Sequence, residues 1–534
     1  MNFDALQYPY PSRRSVVYAG NGMVATSQSL AAEAGLAVLR QGGNAVDAAV
    51  AAAACLTVVE PTSCGIGGDA FALVWTKGKL YGLNASGPAP FGLSREAVLR
   101  AGHTKMPPNG LTAVTVPGVP AAWAALAERF GRFDLSRLLE PAAAYAADGF
   151  PVSPIVSRLW HLGVERYKTA KGVEFRPWFD VFAPGGQAPR AGQMWRSPDH
   201  AATLRRIGES GAKDFYEGDL AARIAAFSRQ HDGYLAEKDL AAYRPEWVEP
   251  IGVNYRGYDV WEIPPNGHGL VTLLALNILQ GFTFTEKECA DTYHKQFEAM
   301  KLAFADGLQY IADPRSMQVS VADLLSDDYA AERRKLIGRE ACSPAPGSPP
   351  RSGTVYLATA DKEGNMVSYI QSNYQGFGSG IVIPGTGIAL HNRGCNFSLD
   401  ANHPNCLEPG KKPYHTIIPG FLSRNGQAVG PFGVMGAFVQ PQGHLQMVMN
   451  TVDFNLNPQA ALDAPRWQWT QGKTIEVETQ FPQDMVQALR ERGHDIKVAG
   501  DNLSMGRGQI IWRNQDGVLV GGTESRADGA VAAW

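Results

Sequence analysis

From Ala341 to Gly353 the chain reads ACSPAPGSPPRSG, and at Thr354 it passes without transition into TVYLATADKEGNMVSYIQS. The first segment has four prolines and no apolar periodicity, so it has no means of joining a packed core and is expected as an exposed linker. The second consists of two alternating runs around the polar turn Asp361-Lys362-Glu363-Gly364-Asn365, which predicts a buried β-hairpin beginning at Thr354. Any fold for this chain must therefore place in its core a strand pair whose first residue is fed by an open loop.

The N-terminal region supplies partners for such a hairpin. MVATS reads as a strand and Leu30 to Leu39 as an Ala-rich helix; Gly42-Gly43-Asn44 breaks the pattern, and a second Ala-rich helix follows. The cluster Cys64-Gly65-Ile66-Gly67-Gly68-Asp69 leads into AFALVW and KLYGLNASGPAP, so a sheet is expected over residues 70 to 84. Residues 115 to 340 are mostly helical in pattern, clearest in PGVPAAWAALAERFG and DTYHKQFEAMKLAFADGLQYIA, and are expected as covering layers. Beyond the hairpin come a strand in GIVIPGTGIAL, the Pro-rich loop KKPYHTIIPGFL, the Gly-rich segment VGPFGVMGAFVQPQGH and alternating strands near the C-terminus. The expectation is a layered α/β protein.

Composition narrows the function classes. With 19% charged and 45% hydrophobic residues the 534-residue chain is folded rather than disordered. A net charge of -3 gives no basic field for nucleic acid. The longest apolar run, Ala48 to Val59, is too short to span a bilayer. MNFDALQYPYPSRRS lacks the pattern of a secretory signal, so a cytoplasmic protein is expected. Six cysteines without a C-x-x-C pair predict free thiols rather than a disulfide framework or zinc site.

The chain contains no G-x-S-x-G, H-E-x-x-H or Walker loop, and Gly376-Phe377-Gly378-Ser379-Gly380 reads as a tight strand connection. Thr354 remains. Were the Gly353-Thr354 bond cut, one residue would hold a hydroxyl nucleophile and an α-amine whose reference pKa of about 7.7–8.0 suits a general base. Residue logic alone favours an ordinary strand threonine here.

Two blocks change that weighting: GMVATSQSLAAEAGLAVLRQGGNAVDAAVAAAACLTVVEPTSCGIGGDAF, and GTVYLATADKEGNMVSYIQSNYQGFGSGIVIPGTGIALHNRG around Thr354, supported by KKPYHTIIP and GVMGAF. They resemble the gamma-glutamyltranspeptidase family of self-cleaving N-terminal-nucleophile hydrolases. The resemblance implies a four-layer αββα sandwich formed jointly by a large chain, residues 1–353, and a small chain, residues 354–534, after cleavage between Gly353 and Thr354. It implies Thr354 as nucleophile, Ser372 as the second hydroxyl beside it, and the backbone amides of Gly436 and Ala437 as the oxyanion hole.

For substrate binding, the positions that hold glutamate in the family fall here on Asn84, Tyr374, Arg393, Asn396, His415 and Thr416. Almost every glutamate contact is changed, but Arg393 is suited to bidentate capture of a carboxylate. This pattern looks more like the amidohydrolase and acylase-like branch, which includes oxamate amidohydrolase. The expected activity is hydrolysis of a small carboxylate-bearing amide through an acyl-enzyme, without metal or organic cofactor. The alternatives are a gamma-glutamyltransferase or glutathione hydrolase, and an inactive binding relative. The expected partners are an anionic amide and the two chains of one precursor, with a dimer of such pairs compatible. Asp69 is expected to be buried beside a helix start or a backbone amide, the Cys64 to Gly68 corner to be a turn or a close approach to the active centre, and Cys395 to be inert.

Overall fold

The computed structural model describes residues 9–10, 14–344 and 354–534. The strands of its two central sheets are, in chain order, β1 (Val17–Ala19), β2 (Gly22–Thr26), β3 (Asp69–Thr76), β4 (Lys79–Ala85), β5 (Glu246–Val248), β6 (Ile251–Tyr255), β7 (Tyr258–Glu262), β8 (Val355–Asp361), β9 (Met366–Ser372), β10 (Gly420–Arg424), β11 (Gln427–Met435), β12 (Arg507–Arg513), β13 (Leu519–Thr523) and β14 (Ala530–Ala533). One seven-stranded sheet has the order β14-β2-β8-β9-β3-β4-β5 and the other β1-β13-β12-β11-β10-β7-β6. Every pairing within them is antiparallel.

The sheets pack face to face. Trp75 of β3 stacks on Phe421 of β10 with ring centroids 5.7 Å apart. A Cβ on Gly433 of β11 would stand 2.4 Å from the Tyr356 ring of β8, so that glycine lets the sheets close. Outside the first sheet lie α1 (Ser29–Arg40), α2 (Ala45–Val59), α3 (Val119–Phe130) and α4 (Leu135–Asp148). Outside the second lie α5 (Gly269–Gln280), α6 (Ala290–Tyr310), α7 (Gln440–Val452) and α8 (Pro458–Asp463). The result is the αββα sandwich.

Helix α2 shows why the sequence takes this form. Asn44 caps it, accepting from the Val46 and Asp47 amides, while Asp47 returns a bond to the Asn44 amide. Its alanines are buried on all sides, which fits a helix sealed between a sheet and other helices. The apolar run Ala48 to Val59 is thus core, and no helix among the described residues is long and apolar enough to cross a membrane.

Three expectations are corrected. GIVIPGTGIAL is not one strand but two short paired ones, Ile381–Val382 and Ala389–Leu390, because Gly385 and Gly387 take positive φ and turn the chain between them. The stretch 115 to 340 contains β5 and β6, which are edge strands of the two sheets, and β7, which lies between β6 and β10. The linker does not begin exposed: Ala341 is buried and its amide bonds Arg492 O at 2.7 Å. The Cys342 amide donates to Glu298 at 3.1 Å and its carbonyl accepts from Lys301 at 2.6 Å. Residues 345–353, including Gly353 of the expected cut, lie outside the described residues.

Candidate active site

Thr354 directly precedes β8, and the pairing of Val355 with Gln371 carries on to place it opposite Ser372. The two hydroxyls are 3.1 Å apart and both residues are fully buried. Ser372 also accepts the Tyr374 amide at 2.7 Å. On its other side Ser372 pairs with Asp69, the first residue of β3. Thr354, Ser372 and Asp69 therefore stand in one row across three strands, on the face turned toward the second sheet. With strands about 4.8 Å apart, Thr354 and Asp69 are separated by about 10 Å.

The glycine corner permits this row. A Cβ on Gly68 would lie 2.6 Å from the Ser372 carbonyl oxygen, and one on Gly67 2.4 Å from that of Ala389. Gly68 O in turn accepts the Gly118 and Val119 amides at 2.8 and 3.0 Å, joining the start of α3 to the site.

Gly436 and Ala437 follow β11 and open the turn into α7, with φ of 137° and 53°. The Gly436 angle is one that side-chain-bearing residues rarely adopt, and Ala437 tolerates the left-handed region at a cost. Gln440, at the start of α7, donates to Thr354 Oγ1 at 3.4 Å and accepts the Ile418 amide at 2.9 Å. It ties the Gly436–Ala437 turn to Thr354. Sequence reasoning missed it, although only Val439 separates it from the GVMGAF block.

Asp69 leads into a second cluster. Arg393, Tyr374, His415 and Thr416 meet around it, together with His391, which sequence reasoning did not single out. Asp69 Oδ2 is 2.9 Å from His415 Nε2, 3.2 Å from His391 Nδ1 and 3.7 Å from Arg393 Nε, and Oδ1 accepts the Gly87 amide at 3.3 Å. Asp69 thus has the expected backbone amide, and in addition two histidines and an arginine. Arg393 is fully buried; its Nη1 donates to Thr416 Oγ1 at 2.6 Å, and its guanidinium carbon lies 4.1 Å from the Tyr374 ring centroid. Among the described residues neither its Nη2 nor its Nε has a hydrogen-bond partner. Tyr374 reaches this position from a backbone with φ of 74°, a strained setting for a bulky residue and a mark of functional sites.

Burial sets the protonation of this cluster. It pushes Asp69 up to about 7, with Arg393 offsetting only part of the effect. It drives His391 down to about 3 and His415 well below the usual imidazole value, each helped by the Arg393 charge, so both are neutral. Burial lowers the Arg393 proton affinity too, but a guanidinium stays charged.

Of the remaining candidates, Asn396 lies beside the Tyr374 hydroxyl and acts on it, while Asn84 is bonded elsewhere. The Asn84 amide is bonded to Asn266 at 3.0 Å and to the Ser86 amide and hydroxyl at 3.0 and 2.7 Å. Asn396 donates to Tyr414 O at 3.0 Å. Burial raises the Cys395 thiol to about 12, which leaves it protonated and unreactive, and all six cysteines are unpaired. Among the described residues His294, Glu298 and His494 bring ligand atoms within 4.8 Å of one another, as a metal site would. Lys301 already pairs with Glu298 there.

Residues 31–534 match the gamma-glutamyltranspeptidase family model. The chain belongs to the gamma-glutamyltranspeptidase family. It is 39% identical to the glutathione hydrolase-like YwrD proenzyme of Bacillus subtilis, over 95% of this chain and 97% of that one. It is 34% identical to the oxamate amidohydrolase proenzyme of Klebsiella pneumoniae, over 96% and 98% of the two chains. Among solved structures, a crystal structure of cephalosporin acylase from Bacillus halodurans is similar with a TM-score of 0.96 and 63% identity, covering 100% of this chain and 99% of that one. These relatives are hydrolases and acylases, and this chain is an enzyme of that family.

Proposed function

We propose that this protein cleaves itself between Gly353 and Thr354 and then works as an N-terminal-threonine amidohydrolase on a small substrate bearing a carboxylate. In maturation the Thr354 hydroxyl adds to the Gly353 carbonyl, the peptide bond is exchanged for an ester as the Thr354 α-amine leaves, and water hydrolyses that ester to a Gly353 carboxylate and the free Thr354 hydroxyl. In turnover that amine takes the hydroxyl proton as Oγ1 adds to the substrate amide carbonyl. Ser372, 3.1 Å away, orients the nucleophile, and the Gly436 and Ala437 amides receive the oxyanion. Collapse expels the amine with the proton, and water resolves the acyl-enzyme. A cytoplasmic setting fits the six free thiols.

The observation that carries the substrate class is the unpartnered Nη2 of fully buried Arg393. A buried donor on a charged group is costly to leave unmet, and a substrate carboxylate would meet it. Arg393 meets Asp69, which stands two strands from Thr354 in the row, so the proposed anchor and nucleophile can engage the two ends of one small substrate. Tyr374, His415 and Thr416 would shape the pocket around it. Glutathione hydrolysis is the second reading, supported by the name of the YwrD relative; the internal bonding of the Asn84 amide offers little to a glutamyl group.

Intact mass and N-terminal sequencing after incubation at neutral pH test maturation. Wild type should yield a chain beginning Thr-Val-Tyr-Leu, and Thr354→Ala should remain whole. The mature enzyme is then assayed on the mono-4-nitroanilides of oxalic, malonic, succinic and glutaric acids beside glutathione. Preference for glutathione would overturn the substrate reading, and an uncleaved wild type the catalytic one.

A further inference from the structure

The proposed carboxylate site contains one acid of its own, and its contacts bear on the form it takes. His391 Nε2 lies 3.0 Å from the Thr115 carbonyl oxygen. That oxygen can only accept, so Nε2 carries the proton and Nδ1 presents a lone pair. Nδ1 faces Asp69 Oδ2 at 3.2 Å, an approach that is repulsive unless Asp69 brings a proton. His415 runs the other way: its Nδ1 accepts the Ile417 amide at 3.4 Å, leaving Nε2–H to donate to Asp69 Oδ2 at 2.9 Å. With both imidazoles neutral, this close approach of a lone pair to Oδ2 favours the carboxylic acid form of Asp69, although Nδ1 and Oδ2 are not aligned as a hydrogen bond.

The other groups around it agree. Lys412 acts on Asp69 from a distance but is paired with Glu246 at 2.9 Å. Tyr216 and Tyr243, whose hydroxyls feel the Asp69 charge, are pushed well up by burial and stay neutral. His268, which acts on His415, is neutral as well. Arg393 is the one charged group within 4 Å of the Asp69 carboxyl among the described residues.

We propose that Asp69 sets the charge of the pocket: as an acid it leaves the Arg393 guanidinium to a substrate carboxylate, and as a carboxylate it claims that charge and repels the substrate. This rests on the reading of Arg393 given above. Asp69 is a positioning residue, since it acts through Arg393. The sign follows from linkage: the substrate binds the protonated form better, so binding raises the proton affinity of Asp69, and affinity falls as pH rises through the Asp69 pKa. The Thr354 α-amine works in the opposite direction, because kcat grows as it loses its proton near its reference value of about 8.

The test separates KM from kcat across pH. The probe is the mono-4-nitroanilide with the highest kcat/KM in the series above, with butyric acid 4-nitroanilide as the uncharged control. KM for the anionic probe should rise about tenfold between pH 6.5 and 8.5, while KM for the control stays level. Asp69→Asn preserves a donor toward His391 and an acceptor for His415, and should make KM for the anionic probe independent of pH. A level wild-type KM, or a rise that survives in Asp69→Asn, overturns the proposal. The wild-type profile needs no variant and decides alone if Asp69→Asn does not fold. An unchanged KM in Arg393→Ala would instead sink the underlying reading of the pocket.

Discussion

At the scale of single residues, the site turns on one buried charge and one backbone angle. Arg393→Ala should raise KM for the carboxylate-bearing anilide by about 10- to 100-fold, matching about 1.5–3 kcal/mol for a hydrogen bond to a charged group. It should leave the fold intact, because Asp69 without its guanidinium neighbour keeps its proton instead of becoming an unpaired buried charge. Arg393→Lys should recover little, since an ammonium cannot hold Thr416, lie on the Tyr374 ring and present Nη2 together; steady-state kinetics of both variants check this. Gly436→Ala puts a side chain at φ 137°, with its Cβ 3.1 Å from Gly506 Cα, and should cost about 1–3 kcal/mol of stability. If the Gly436 amide stabilises the oxyanion, kcat should fall more than KM changes. Thr354 drew notice where a proline-rich break meets a strand, but only the family resemblance raised it above an ordinary strand residue, and Ser372 came from that resemblance alone; the structure sets their hydroxyls 3.1 Å apart. The link from Asp69 to His391, Arg393 and His415 was not legible as a unit. It joins the first residue of β3 to loops more than 300 residues away, and no local periodicity reports such a meeting.

Among elements, the hairpin of β8 and β9 carries the proposed nucleophile at its start, and its turn is fixed from inside. Asp361 Oδ1 accepts the Glu363 and Asn365 amides at 3.0 and 3.1 Å, while Oδ2 accepts the Ala45 amide at 2.9 Å and the Asn365 side chain at 2.8 Å. One carboxylate thus ties the turn to the N-terminus of α2, where its charge also suits the helix dipole. Asp361→Ala leaves those amides unmet and should destabilise the protein by about 2 kcal/mol, seen as a lower urea midpoint. The hairpin, α1, α2, α3 and α6 were readable because each has a long pattern with a clear stop. Strands β5 to β7 were not: EWV, IGVNY and YDVWE are short and sit in a mostly helical stretch. Their strand character comes from the pairings they join rather than from their own sequence.

The whole molecule is threaded so that its two proposed chains cannot simply part. In the first sheet β8 pairs with β2 and β9 with β3, so the small-chain hairpin is flanked on both sides by large-chain strands. In the second sheet small-chain β10 pairs with large-chain β7, and β13 with β1. Cutting at Gly353-Thr354 breaks one covalent bond and removes none of these ladders or the core between the sheets. Separation would require unpairing five ladders, these four and that of small-chain β14 with β2, and exposing both sheet faces, which is equivalent to unfolding. The cleaved protein should therefore elute in gel filtration at the same volume as the uncleaved Thr354→Ala precursor, and its chains should separate only in denaturant. Both chains should then lose structure in a single transition, because neither owns a complete sheet. Release of a folded small chain under native conditions would contradict this interleaving. After denaturation, mixing the separated chains should recover little activity, since the order β2-β8-β9-β3 must then be assembled between two molecules instead of within one.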